Sequence, residues 1–172
     1  MEGIDTIAQL MAVAAVTAPK AKGQNFVQVK ILKEKEVQAL GKAMIAYQGK
    51  SKQKNFERDG KNVLDSEAVI LIGLKDASTS GLDCSACGFE TCEALKAQQP
   101  VNGEFHGPTC AIRILDMGIA LGSAVKMASI LNVDNRVMYR AGAVARDMKL
   151  VDWDFVMGIP LSISGKSIYF DR

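Results

Sequence analysis

Four cysteines, Cys84, Cys87, Cys92 and Cys110, lie within residues 84–110, and the chain of 172 residues holds no others. Thiols gathered in this way constrain the fold strongly, because the chain between them must turn back on itself for all four to serve one centre. In a reducing compartment, clustered cysteines point to metal binding or redox chemistry rather than to structural disulfides.

The pattern reads C-x2-C-G-x3-C, then a long gap to Gly107-Pro108-Thr109-Cys110. Three thiolates close in sequence wrap one side of a centre, and the distant fourth closes the opposite corner. A [4Fe–4S] cubane takes one thiolate on each of four irons, which are spread over a body and not a point, so uneven loops suit it. Gly88 allows a sharp reversal after the second cysteine. Phe89 is placed to shield sulfur from water. Cys92 stands at the start of a predicted short helix over residues 93–98. Lys96 and Arg113 are candidates to offset the negative charge of a cluster. Structural zinc with four cysteines usually uses two short C-x2-C knuckles. One knuckle followed by a C-x4 step favours iron–sulfur, with zinc as the alternative metal. A redox dithiol at Cys84 and Cys87 leaves the other two cysteines without a role.

The rest of the chain reads as one soluble α+β domain over residues 1–172, with 82–110 as a cluster-binding insertion. Ile4, Ile7, Met11, Ala14 and Ala15 recur at helical spacing, and Thr17-Ala18-Pro19 ends that helix. A strand follows at residues 26–32 and a helix at 34–47. The charged stretch 50–61 reads as a solvated loop or helix face. Residues 68–74, AVILIGL, form a continuous apolar run, the mark of a strand buried on both faces. A long helix is predicted over 111–131, with Gly118 and Gly122 as either a dimer seam or a close packing contact within one subunit. Asp134 and Asn135 are expected to cap another helix over 136–149. A strand at 155–161 and a short closing strand at 168–170 complete the reading.

The charge balance, 21 basic against 19 acidic residues, argues against a dedicated nucleic-acid binder. No signal peptide and no apolar run of membrane-spanning length is seen, so a cytoplasmic location is expected. His106 is the single histidine and is read as hydrogen-bonded or exposed. No Walker loop or dinucleotide fingerprint occurs.

The cysteine spacing resembles the small [4Fe–4S] module of electron-transfer subunits in membrane redox complexes and of corrinoid iron–sulfur proteins. Residues 17–23 (TAPKAKG), the cysteine segment, 118–124 (GIALGSA), 132–136 (NVDNR), 158–162 (GIPLS) and the closing Phe170-Asp171-Arg172 give a fuller match. In these stretches the chain resembles the family of uncharacterised proteins containing a ferredoxin domain, which implies a bound iron–sulfur cluster and no established reaction. The order helix, Ala-Pro loop, strand, helix is also similar to the opening of nitroreductase-like flavoproteins. In those proteins an early Ala-Pro-Ser loop and a later Asn lie beside FMN at a homodimer interface. Ala18-Pro19-Lys20 and Asn25 occupy the comparable places. The Arg-x-Ser-x-Arg phosphate motif of that family is absent, since the first helix contains no arginine.

That second resemblance implies a mixed sheet flanked by helices, a homodimer, and FMN contacts from Lys20, Lys22, Asn25, Lys166 and Arg172. The combined expectation is an electron-transfer protein serving a flavin, a redox partner protein or a small-molecule acceptor. An FMN-dependent oxidoreductase is its enzymatic form. The alternative is a non-enzymatic module in which zinc or a static cluster staples the fold.

Overall fold

The computed structural model describes residues 2–51 and 53–170. Helix α1 (Glu2–Thr17) leads through a 3-10 turn (Ala21–Gly23) into β1 (Val27–Lys33), α2 (Glu34–Tyr47), α3 (Phe56–Leu64) and β2 (Ala68–Leu74). The cysteine segment carries α4 (Cys92–Lys96) and a small hairpin of β3 (Val101–Asn102) and β4 (His106–Gly107). Then come α5 (Ala111–Ile130), β5 (Asp134–Asn135), α6 (Tyr139–Asp147) and β6 (Phe155–Ser162).

The main sheet has the order β1-β2-β6-β5. In place of the expected mixed pairing, every pairing in it is antiparallel. The α+β class with helices on both faces is as anticipated. Residues Ala68, Ile70, Ile72 and Leu74 of β2 face one apolar cluster, with Ala8, Met11 and Ala15 of α1 and Met117, Ala120 and Ala124 of α5. Val69 and Leu71 face a second cluster with Leu40 and Met44 of α2, Phe56 and Val63 of α3, and Val144 of α6. Alternation of side chains along a strand thus feeds two cores, which explains an unbroken apolar run. Glycine is required where α6 crosses β6: a Cβ on Gly142 would stand 1.9 Å from the carbonyl oxygen of Val156.

Several local expectations are corrected. The charged stretch 50–61 is not wholly solvated, because α3 begins inside it and buries Phe56, Asp59 and Gly60. Asp59 is held there by Arg58 and by Arg140, the latter at 2.9 Å. The helix expected over 136–149 starts only at Tyr139, since Met138 pairs with Gly158 at the sheet edge through two backbone hydrogen bonds. Asp134 and Asn135 therefore lie in β5 and cap no helix. The Asp134 carboxylate instead accepts from the Ile168 N–H at 2.7 Å and the Ser167 hydroxyl at 3.2 Å. Residues 168–170 form no strand, because side chains satisfy their backbone: Asn62 donates to the Ile168 carbonyl at 2.5 Å and Arg136 to that of Tyr169 at 3.4 Å.

Gly118 and Gly122 are exposed, and a Cβ on either would meet nothing within 4 Å. Close packing within the subunit is thereby removed as their explanation. No helix among the described residues is long and apolar enough to cross a membrane.

Candidate metal centre

The chain leaves β2 and enters a stretch rich in left-handed backbone: Asp76, Gly81, Asp83, Ser85 and Gly88 all have positive φ. Short polar residues and glycine tolerate that region best. The Gly88 N–H donates to the Ser85 carbonyl at 2.9 Å, closing a turn around Cys87. The Cys92 N–H donates to Asp83 Oδ1 at 2.6 Å, which brings the start of α4 against the first cysteine loop. Thr91 caps α4 by accepting from the Ala94 N–H at 3.1 Å. Cys110 precedes α5, and its carbonyl receives the N–H groups of Arg113 and Ile114.

These connections bring Cys84, Cys87, Cys92 and Cys110 to the wall of one small pocket, together with Ser80, Asp83 and Phe89. All four thiols are free; Cys92 and Cys110 are buried and Cys84 is exposed. No three His, Cys, Asp or Glu side chains among the described residues gather as ligands of a single ion. Burial pushes the Cys110 thiol up. Hydrogen bonding from the Ser80, Arg113 and Ile112 backbone and from the Ser80 hydroxyl outweighs it and holds the thiol below its ordinary value. The start of a long helix favours a thiolate in the same direction. Ser80 and Asp83 were not anticipated; a short polar residue beside a cysteine loop carries no spacing signal that sets it apart.

The two cations expected to offset cluster charge already have partners. Lys96 pairs with Glu93 at 2.6 Å. Arg113 is completely buried and pairs with Asp116 at 3.1 Å. The same guanidinium donates to the Ser78 carbonyl at 3.0 Å, the Ala21 carbonyl at 3.1 Å and Gln24 at 2.5 Å, and it lies over the Phe26 ring. It is therefore a strut between the Ala-Pro loop and the chain leaving β2.

The hairpin after α4 is anchored on the opposite layer. Phe105 packs on Phe155 with ring centroids 4.4 Å apart, and Arg146 donates to the Glu104 carbonyl at 2.5 Å. The Tyr139 hydroxyl donates to Glu104; burial and that carboxylate push its pKa up to about 12. His106 is hydrogen-bonded, as anticipated, to Asp154 at 3.2 Å.

The residues expected at a flavin do not form one cradle within the subunit. The Lys20 ammonium donates to the carbonyls of Ala15, Val16 and Ala18 at 2.9, 2.5 and 2.7 Å, so it closes the end of α1. Burial lowers its pKa, against an opposing pull from Asp116. Asn25 accepts the Val27 N–H at 3.1 Å. Lys22 is exposed, and its ammonium lies 3.6 Å from the position a Cβ on Gly81 would take. Lys166 lines an open cleft with Ser129 and Asp134 at the far end of α5. The 3-10 turn contacts that helix at Asp116, so at 1.5 Å per residue the two sets of groups stand about 20 Å apart along its axis. Arg172 lies outside the described residues.

Residues 106–172 match the family model described as "Uncharacterized protein containing a ferredoxin domain (DUF2148)", a stretch that includes Cys110 and none of the other cysteines. A relative from Archaeoglobus fulgidus, itself described as an uncharacterised protein, is 43% identical over 171 residues, spanning 99% of this chain and 92% of its own. Among solved structures, a nitroreductase with bound FMN from Desulfitobacterium hafniense aligns with a TM-score of 0.61 at 14% identity, over 94% of this chain and 79% of that one. A nitroreductase with bound FMN from Bacteroides fragilis aligns at 0.59 and 9% identity, over 97% and 81%. A nitroreductase family protein from Clostridium novyi aligns at 0.59 and 14%, over 95% and 77%. Such identities establish likeness of fold alone. By its near full-length relative and its C-terminal match, the chain belongs to the family of uncharacterised proteins containing a ferredoxin domain, carried on a nitroreductase fold.

Proposed function

We propose that this is an iron–sulfur redox protein that holds one [4Fe–4S] cluster through Cys84, Cys87, Cys92 and Cys110. Its role is to pass single electrons to a partner protein or a small-molecule acceptor. The observation that carries this reading is the single pocket onto which all four thiols open, although Cys110 is remote in sequence. The donor set suits the group. Four thiolates are the usual ligands of a cubane, and Phe89 on the same wall limits water access. When bound, the cluster supplies a one-electron couple. The chain's own contribution is to hold the sulfurs, to lower the Cys110 thiol by hydrogen bonding, and to cover one side of the site. A reducing, cytoplasmic setting fits four free thiols.

The flavin contacts do not fit within one subunit, since Lys20 is engaged and Lys166 is remote, and no step is assigned to FMN. A homodimer is part of the proposal. Leu115 and Ile119 stand exposed beside Gly118 and Gly122 on α5, and Leu10, Val13 and Val16 are exposed on the neighbouring α1.

Anaerobic purification with metal and acid-labile sulfide assays tests the cluster. About four irons and four sulfides per chain, with broad absorption near ~400 nm, are expected. Stoichiometric zinc without iron overturns the reading in favour of a stapled, non-redox module.

A further inference from the structure

A second cavity, of about 390 Å³, adjoins the cysteine pocket and shares Cys110 with it as a wall. Its size falls in the range of sites that enclose small organic molecules. His106 and Asp154 both line it.

These two residues are clamped to each other twice. The His106 N–H donates to the Asp154 carbonyl at 2.8 Å, and Nδ1 stands 3.2 Å from Asp154 Oδ1. Asp154 is itself fixed, because its Oδ2 accepts the Asp76 N–H at 2.8 Å and its own N–H donates to Leu74 at 2.7 Å. The hairpin is already anchored through Glu104 and Phe105, so holding it in place does not require this pair. The carboxylate accepts from Nδ1–H and fixes the ring, so that Nε2 is an acceptor in the neutral form and presents an N–H in the protonated form, and Nε2 has no protein partner among the described residues. That arrangement orients an imidazole to hydrogen-bond a ligand and to move a proton at Nε2.

The other walls select the ligand. Leu95, Pro100 and Pro108 are apolar, Thr79 and Thr109 offer hydroxyls, Gln98 offers an amide, the one lining ammonium, Lys96, is paired with Glu93, and the single lining carboxylate is already occupied by donors. Such a cavity suits a flat, mainly apolar molecule with an oxygen acceptor at its edge and disfavours a cation.

We propose that this cavity binds a small electron acceptor of the quinone class, with one carbonyl oxygen accepting a hydrogen bond from Nε2–H of the protonated His106 ring. The proposal rests on the function proposed above, which places the electron source across Cys110. The reaction is Q + 2 e⁻ + 2 H⁺ → QH₂. Electrons arrive one at a time from the reduced centre, which an external low-potential reductant, dithionite in the assay, restores. The protonated His106 ring gives one oxygen its Nε2 proton, which leaves the neutral Nδ1–H form against Asp154, and water reprotonates Nε2; the second oxygen takes its proton from solvent.

Because the chain has one histidine, its ring gives a unique set of NMR signals. Duroquinone serves as probe, since its ring carbons are fully substituted and do not arylate thiols. Titrated anaerobically into the full-length protein, with iron measured on the same sample, it is expected to shift the His106 signals saturably below millimolar concentration. His106→Gln is expected to weaken duroquinone binding in equilibrium dialysis about tenfold. The same variant is expected to slow reoxidation of the dithionite-reduced protein by duroquinone about tenfold, at unchanged iron content. His106 signals that stay fixed at millimolar duroquinone in iron-loaded protein overturn the proposal. A saturable shift in protein that holds no iron supports the quinone site and removes the iron–sulfur function instead.

Discussion

Strand β2 passes the chain directly into the cysteine segment, and different forces hold the two. Every residue of β2 is buried between two apolar clusters. Residues 81–86 are all exposed, and the segment around them is shaped by left-handed backbone and by single hydrogen bonds such as Asp83 to Cys92. Burial of about 25 cal/mol per Å² is distributed over many contacts, so the core tolerates the loss of one methyl better than the loss of space. A segment held by point contacts depends instead on what fills its pocket. The scaffold and the site should accordingly fail separately.

The largest effect is expected from Cys84→Ser. Cys84 is exposed and outside both cores. Iron content should fall about tenfold or more, while far-UV circular dichroism and the unfolding midpoint of the metal-free protein stay near wild type. Loss of both together would break the separation. Arg113→Met tests the strut between the regions. It leaves Asp116 buried without its cation and two carbonyls without a donor, at a cost of about 3–5 kcal/mol in urea unfolding. Gly142→Ala forces a Cβ against the Val156 carbonyl and should cost roughly 3 kcal/mol, with no change in iron per folded chain. Gly118→Ala meets open space and should stabilise the monomer by about 0.5–1 kcal/mol. Sedimentation on the same variant measures any weakening of a dimer.

The parts of the fold that could be read in advance were those dictated by burial alone. The apolar run 68–74 is β2, and the periodic stretches 34–47 and 111–130 are helices, because the side-chain repeat and the buried face coincide. Where long-range pairing competes with local propensity, the residues gave no such indication. Met138 is drawn to the sheet edge by Gly158, which shortens α6, and residues 168–170 are satisfied by Asn62, Arg136 and Asp134 rather than by a strand. The shared pocket of the four cysteines followed from their grouping. Lys20, expected at a phosphate, caps the carbonyl end of α1 within the subunit, a local event that any nearby lysine can perform and that no spacing announces. The pairing of His106 with Asp154 joins residues 48 positions apart and left no pattern in the sequence.

Arg113 stands one helical turn beyond Cys110 and grips the backbone of Ala21, 92 positions earlier. A movement of the sulfur that drags the first turn of α5 must therefore pull on the 18–25 loop as well. Occupancy at one end of this lever becomes readable at the other: amide exchange at Ala21, whose N–H is held by Asp116, should slow when the cysteines are filled.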